Sequence, residues 1–182
     1  GAVNVIRLWR AKSDPPPSVF ATQGEYARSL REKVTPAALS GSLYPSDETD
    51  DGKLLRLSQQ YFLVSASVRD IINDHIADGG TVGDLPDRVA IHINDTHPAL
   101  VIPEMMRVLM DVYSYGWEDA WRTVISTVTY TNHTVMPEAL ETWNSELFRI
   151  RLPRIHMIIE EINRRFMESL FARNDLTGTN AV

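Results

Sequence analysis

The 182-residue chain contains no cysteine, which excludes a disulfide framework and any Cys-ligated zinc site and suits a reducing cytoplasm. Lysine is nearly as scarce. Only Lys12, Lys33 and Lys53 occur, the other fifteen of the eighteen basic residues being arginine, so few candidates exist for a Schiff-base or P-loop lysine. Basic charge is in the minority, 18 Lys+Arg against 24 Asp+Glu for a net charge of -6. A general nucleic-acid binder needs a basic face and is disfavoured, although a local basic pocket is compatible with this balance. No apolar run is long enough to cross a bilayer, and the N-terminus lacks the order of a signal peptide, so the chain reads as soluble. What is present is 43% hydrophobic content, enough to bury one sizeable core, which excludes disorder as the main state.

Strand and helix patterns alternate along the chain. Val3 to Trp9 is β-branched and apolar and predicts a strand, ended by Asp14-Pro15-Pro16-Pro17. Gly24 to Lys33 allows a short helix, and Gly41 to Gly52 reads as a polar, acidic loop. Between Leu54 and Ile76, the positions Leu57, Tyr61, Val64, Val68, Ile71 and Ile72 recur at steps of three and four, the period of one helical face. Val89 to Asn94 predicts a buried strand stopping at Asp95-Thr96-His97-Pro98. A helix is expected over Ala99 to Val112, with Pro103 kinking it or starting its regular part. Trp117 to Thr123 predicts another helix and Val124 to Tyr130 a second strand, ending at Thr131-Asn132-His133-Thr134. Pro153 to Arg173 carries an apolar helical stripe through Ile155, Ile158, Ile162, Phe166 and Leu170. This alternation predicts an α/β fold with parallel strands.

The two polar clusters follow the same plan, each at a strand end with a Pro-Glu pair close behind. Ligands of open α/β sheets bind beyond the carboxyl ends of the strands, so both clusters are expected to floor one pocket. Asp95, His97 and His133 are its titratable groups. Asn94, Thr96, Thr131, Asn132 and Thr134 add amides and hydroxyls, and this mixture suits a polyhydroxylated ligand such as a sugar. Caps and turn bonds are the structural alternative for either cluster alone. No HExxH or paired-Cys spacing supports a metal, and neither GxGxxG nor GxxxxGK[ST] supports a nucleotide. Asp95 with Glu104 or Glu138 could form a glycosidase-like carboxylate pair, but both glutamates sit near expected helix starts, where dipole and cap roles are preferred. His75 and His156 lie on expected helices and read as partly buried structural histidines.

The runs VNVIRLWRAK, LYPSDETDDGKLLRLSQQYFLVSASVRDII, VAIHINDTHPALVIPEMMRVLMD, YTNHTVMPEALETW and LPRIHMIIEEINRRF resemble the middle of an α-glucan phosphorylase. The likeness covers residues 3 to about 170. It implies that residues 1–182 form an incomplete N-terminal, glucan-side portion of a two-domain GT-B glycosyltransferase with Rossmann-like domains. The activity implied is retaining phosphorolysis of α-1,4-glucan by inorganic phosphate to glucose 1-phosphate, by a cytoplasmic homodimer. Pyridoxal 5'-phosphate and the basic residues for substrate phosphate would belong to the C-terminal domain, which leaves this portion inactive alone. The resemblance places Asp95, His97 and His133 in the glucosyl pocket, with Asn132 and Thr134 beside them as substrate-binding residues. It places Asp47 and Glu48 in the loop gating the cleft, where many relatives carry Asn at the position of Glu48.

Two departures from the family pattern matter. Regulated animal enzymes carry paired arginines for the AMP phosphate just after DII, whereas Asn73-Asp74 follow here, so AMP-independence is expected. Leu176 to Val182 resembles a family strand that normally follows a further helical stretch, which suggests a missing segment near residues 174–176. Two other classes fit parts of the pattern: a non-catalytic carbohydrate-binding module, and a nucleotide-sugar-dependent glucan synthase of similar architecture.

Overall fold

The computed structural model describes residues 6–12, 36–41, 45–46, 48–133, 135–136 and 140–177, with side chains in the last helix described as far as Ala172. The chain divides into two compact units, Gly1–Arg69 and Asp70–Val182.

In the first unit, residues 6–12 form no regular element, with Ile6 and Leu8 exposed, so the strand expected at Val3 to Trp9 is not formed over its described part. A β-branched run becomes a strand only against a neighbour that takes its backbone bonds, and the only ladder among the described residues lies elsewhere. The helix expected at Gly24 to Lys33 lies outside the described residues. Residues 36–41 are helical. Ser40 Oγ accepts from Ala11 N at 2.8 Å, and Gln59 Nε2 donates to Ala38 O at 3.4 Å.

Helix α1 (Asp50–Ala77) begins four residues before the expected start at Leu54 and absorbs the end of the acidic loop. The cause is local. The Thr49 hydroxyl accepts from Gly52 N at 3.2 Å, and Asp50 and Asp51 place negative charge in the first turn, where the helix dipole favours it. A Cβ on Gly52 would lie 1.8 Å from Ser46 O, so the turn into the helix requires a residue without one. Leu57, Val64, Val68 and Ile72 are buried at helical spacing. Tyr61 and Ile71, expected on the same face, are partly covered.

The second unit contains a 3-10 turn (Val82–Asp84), α2 (Leu85–Arg88), β1 (Ile91–Asn94), α3 (Val101–Asp111), α4 (Trp117–Thr127), β2 (Val128–Thr131), α5 (Ser145–Arg151) and α6 (Pro153–Thr177). β1 and β2 pair in parallel, with Ile91 opposite Val128 and Asn94 opposite Thr131. The fold class is therefore α/β, as the alternation predicts. α3 packs on α4 and α6, α5 on α6, and α2 on α4. Leu85, Ile93, Met105, Met106, Leu109, Val124, Ile155 and Ile158 form the core. Fully burying each such side chain contributes roughly 1.5–3 kcal/mol.

Three boundaries differ from expectation. α4 runs to Thr127, so Val124 to Thr127 is helix and not strand. Ala120, Thr123, Val124 and Thr127 are buried at the helical period, and the Thr123 and Thr127 hydroxyls bond back to Asp119 O and Thr123 O at 3.0 and 2.8 Å. α3 begins at Val101, which puts Pro103 in the first turn, where its missing N–H has no helical partner to lose. α6 continues through Leu176 and Thr177, so those two residues are helical where a strand was expected, and residues 178–182 lie outside the described part.

The turn after α1 is clasped by His75, a buried histidine as expected. Its Nε2 lies 2.8 Å from Thr81 O and 3.0 Å from Asp84 Oδ1. Asp84 Oδ1 also accepts from Thr81 N at 2.6 Å. A Cβ on Gly80 would stand 2.3 Å from the imidazole, so the clasp closes only over glycine. The Thr81 backbone N–H, then His75, the Thr81 hydroxyl and Arg88, hold the Asp84 carboxyl down from 3.8 to about 2. A carboxyl lowered on folding stabilises the fold above its unfolded value and ceases to do so as pH falls through the folded one. Protection of the Thr81 amide, its exchange measured against the intrinsic rate at each pH, is therefore expected to fall between about pH 4 and pH 2. In Asp84→Asn that acid-dependent loss of protection should be absent, and an unchanged profile would remove Asp84 from the clasp.

Candidate functional site

The parallel register brings the two polar clusters to one sheet edge. β1 ends at Asn94 opposite Thr131, and Asp95 N donates to Thr131 O at 3.0 Å, which extends the ladder by one bond. Asp95 then leaves the sheet with φ of 76°, a left-handed conformation that aspartate tolerates through local hydrogen bonding. Its Oδ1 accepts from Thr96 N at 2.8 Å, so one carboxylate oxygen fixes the turn.

Across the edge, His133 Nε2 donates to Asn94 Oδ1, a side-chain bond directly linking the clusters. With Nε2 the protonated nitrogen, Nδ1 is an acceptor. Behind this pair, His92 Nε2 lies 2.6 Å from Thr131 Oγ1. The hydroxyl of Thr96 is buried with no hydrogen-bond partner among the described residues.

His97 stands in the turn with its side chain 57% exposed, Nδ1 3.9 Å from Asp95 Oδ2 and Nε2 3.8 Å from Glu141 Oε1. Glu141 is the residue that sequence reasoning missed. It lies forty-six positions after Asp95 in an irregular stretch with no periodicity, and the only available signal was its place eight residues beyond His133 in the same polar run. The carboxylate–imidazole–carboxylate series supplies both hydrogen-bond donors and acceptors.

The alternative carboxylate, Glu104, is 0% exposed and bonded to Arg107 Nε and Nη2, each at 2.7 Å. It is part of the core, so it does not face a ligand beside Asp95, and it sits in the first turn of α3, the helix-start position expected of it. Asn132 is exposed next to His133, and Glu48 is exposed just before α1, its N donating to Ser46 Oγ at 3.3 Å. Thr134, Asp47 and Glu138 lie outside the described residues. Among the described residues, no three His, Asp or Glu side chains converge as a metal site, and no helix is long and apolar enough to cross a membrane.

The sequence matches the carbohydrate phosphorylase family profile over residues 1–180. It is 46% identical over 173 residues to a glycogen phosphorylase of Bacillus subtilis (strain 168), covering 95% of this chain and 21% of that protein. It is 45% identical over 181 residues to an alpha-glucan phosphorylase, H isozyme, of Triticum aestivum, covering 95% and 22%. To the muscle-form glycogen phosphorylase of Oryctolagus cuniculus it is 42% identical over 182 residues, covering 93% and 21%. The chain thus spans about a fifth of the length of these relatives. With a match running through nearly every residue, including both strand-end clusters, the chain belongs to the carbohydrate phosphorylase family.

Proposed function

We propose that this chain is the glucan-side portion of an α-glucan phosphorylase of the GT-B class, a cytoplasmic homodimer that transfers a glucosyl unit from α-1,4-glucan to inorganic phosphate with retention. The observation carrying this reading is the sheet edge itself, where Asp95, His97 and His133 lie at neighbouring strand ends, and it supports reading them as acceptors and donors for sugar hydroxyls. In this reading Asp95 Oδ2 accepts from a glucose hydroxyl while Oδ1 keeps the turn. His133 presents Nδ1 and its backbone carbonyl, its ring held by Asn94. His97, steadied by Glu141, closes the other side, with Asn132 and Thr134 adding polar contacts and Asp47 and Glu48 gating the approach.

Pyridoxal phosphate does not fit the residues of this unit. Asp70–Val182 contains no lysine for a Schiff base, so in this reading the cofactor is held by another domain of the complete enzyme. That domain would also hold the substrate phosphate, and the present portion by itself would be inactive.

The test is production of glucose 1-phosphate from maltoheptaose and phosphate by the intact protein. Absence of that product, with binding of a nucleotide sugar instead, would overturn the reading in favour of a synthase. The same assay with and without AMP is expected to show no stimulation. Asn73 and Asp74 are exposed near the end of α1, and a carboxylate at a phosphate-binding position repels the ligand. Strong activation by AMP would contradict that assignment.

A further inference from the structure

Away from the sheet edge, three side chains on α5 and α6 form a series, one hydrogen bond and one carboxylate–imidazole contact, that the proposed function does not use. Ser145 Oγ lies 2.9 Å from His156 Nε2, and His156 Nδ1 lies 3.3 Å from Glu160 Oε2. The imidazole is buried, with the Phe148 ring centroid 5.9 Å from its own, whereas Ser145 and Glu160 are exposed. The arrangement follows from the chain path. Asn144 caps α5 by accepting from Glu146 N and Leu147 N at 2.9 and 3.2 Å, which sets Ser145 at the first helical position. His156 and Glu160 are one turn apart on α6, and α6 packs against α5.

The geometry points to Ser145 as an activated nucleophile, a site of covalent acylation by small activated esters. Nδ1 faces the Glu160 carboxylate at 3.3 Å, which favours the proton there and leaves Nε2, 2.9 Å from the serine hydroxyl, as the base; the carboxylate stabilises the imidazolium that forms. In the step, Ser145 Oγ forms a bond to the acyl carbon, the bond from that carbon to the leaving oxygen breaks with its electron pair, and the hydroxyl proton passes to His156 Nε2. The neighbouring amides of Glu146 and Leu147 are occupied by Asn144, so these two donors do not stabilise a tetrahedral oxyanion. The site therefore takes up one acyl group and turns over poorly.

The intact protein, treated with 4-nitrophenyl acetate, is expected to release a burst of about one nitrophenolate per chain and to carry the acetyl group on Ser145 by peptide mass mapping. Ser145→Ala should abolish that label. His156→Gln should slow its appearance by about a hundredfold or more, the usual worth of a positioned general base, and Glu160→Gln by a smaller factor. Glu160 is exposed, so its variant decides the matter if His156→Gln loses its circular dichroism spectrum. Acetylation confined to other residues, or labelling of Ser145 at the same rate in folded Glu160→Gln, would overturn the assignment.

Discussion

Arg107→Ala is expected to lower the unfolding free energy by about 3–5 kcal/mol, the usual cost of removing one partner from a buried ion pair. Glu104 is wholly buried on α3, and Arg107 meets it with two bonds of 2.7 Å from three residues on. With the guanidinium gone, the carboxylate loses both bonds in a place where solvent does not reach. Glu104→Gln should cost less, because a neutral amide carries no comparable desolvation penalty. Guanidinium unfolding followed by circular dichroism of the intact protein would give both values. Equal, small losses for the two variants would show that Glu104 reaches water and is not a core residue.

On the proposed function, His133→Ala is expected to reduce kcat/KM of the intact protein by tenfold or more, since a polar contact strengthened at the transition state is worth about 1.4 kcal/mol or more. Asn94 is a positioning residue whose side chain meets the ring of His133, so Asn94→Ala should reduce the rate by a smaller factor. If Asn94 acts only through the ring, the double variant should be no slower than His133→Ala. Such non-additivity is the sign of one shared contact. Two independent, multiplying losses would show that Asn94 meets the sugar itself, and unaltered kinetics in His133→Ala would take the imidazole out of the site.

Much of the candidate site could be read before any coordinates, because strand ends announce themselves locally. VAIHIN runs into Asp95-Thr96-His97 and VISTVTY into Thr131-Asn132-His133-Thr134, polar clusters that cannot continue a buried ladder, and parallel pairing then carries both to one edge. Glu141 escaped because its relevance depends on how an irregular stretch folds back to within 3.8 Å of His97, a contact with no period to betray it. The offered partners, Glu104 and Glu138, shared a Pro-Glu setting. Packing encloses Glu104 in the core, Glu138 lies outside the described residues, and the carboxylate near His97 is Glu141.

The order of helices and strands, the apolar faces of α1 and α6 and the polar strand ends were determined by the sequence itself, since spacing and side-chain chemistry act over a few neighbours. Membership of the carbohydrate phosphorylase family was determined there too, through long uninterrupted runs of matching residues. The tertiary structure decided whether a β-propensity became a strand. Val3 to Trp9 has as strong a preference as Val128–Thr131, yet its described residues 6–9 form no strand, whereas Val128–Thr131 pairs with β1, which takes its backbone bonds. It also decided which histidines are enclosed, His75 under a turn and His156 under Phe148, and which stand at the edge. Burial depends on residues far apart in the chain, and local pattern carries no record of where they meet.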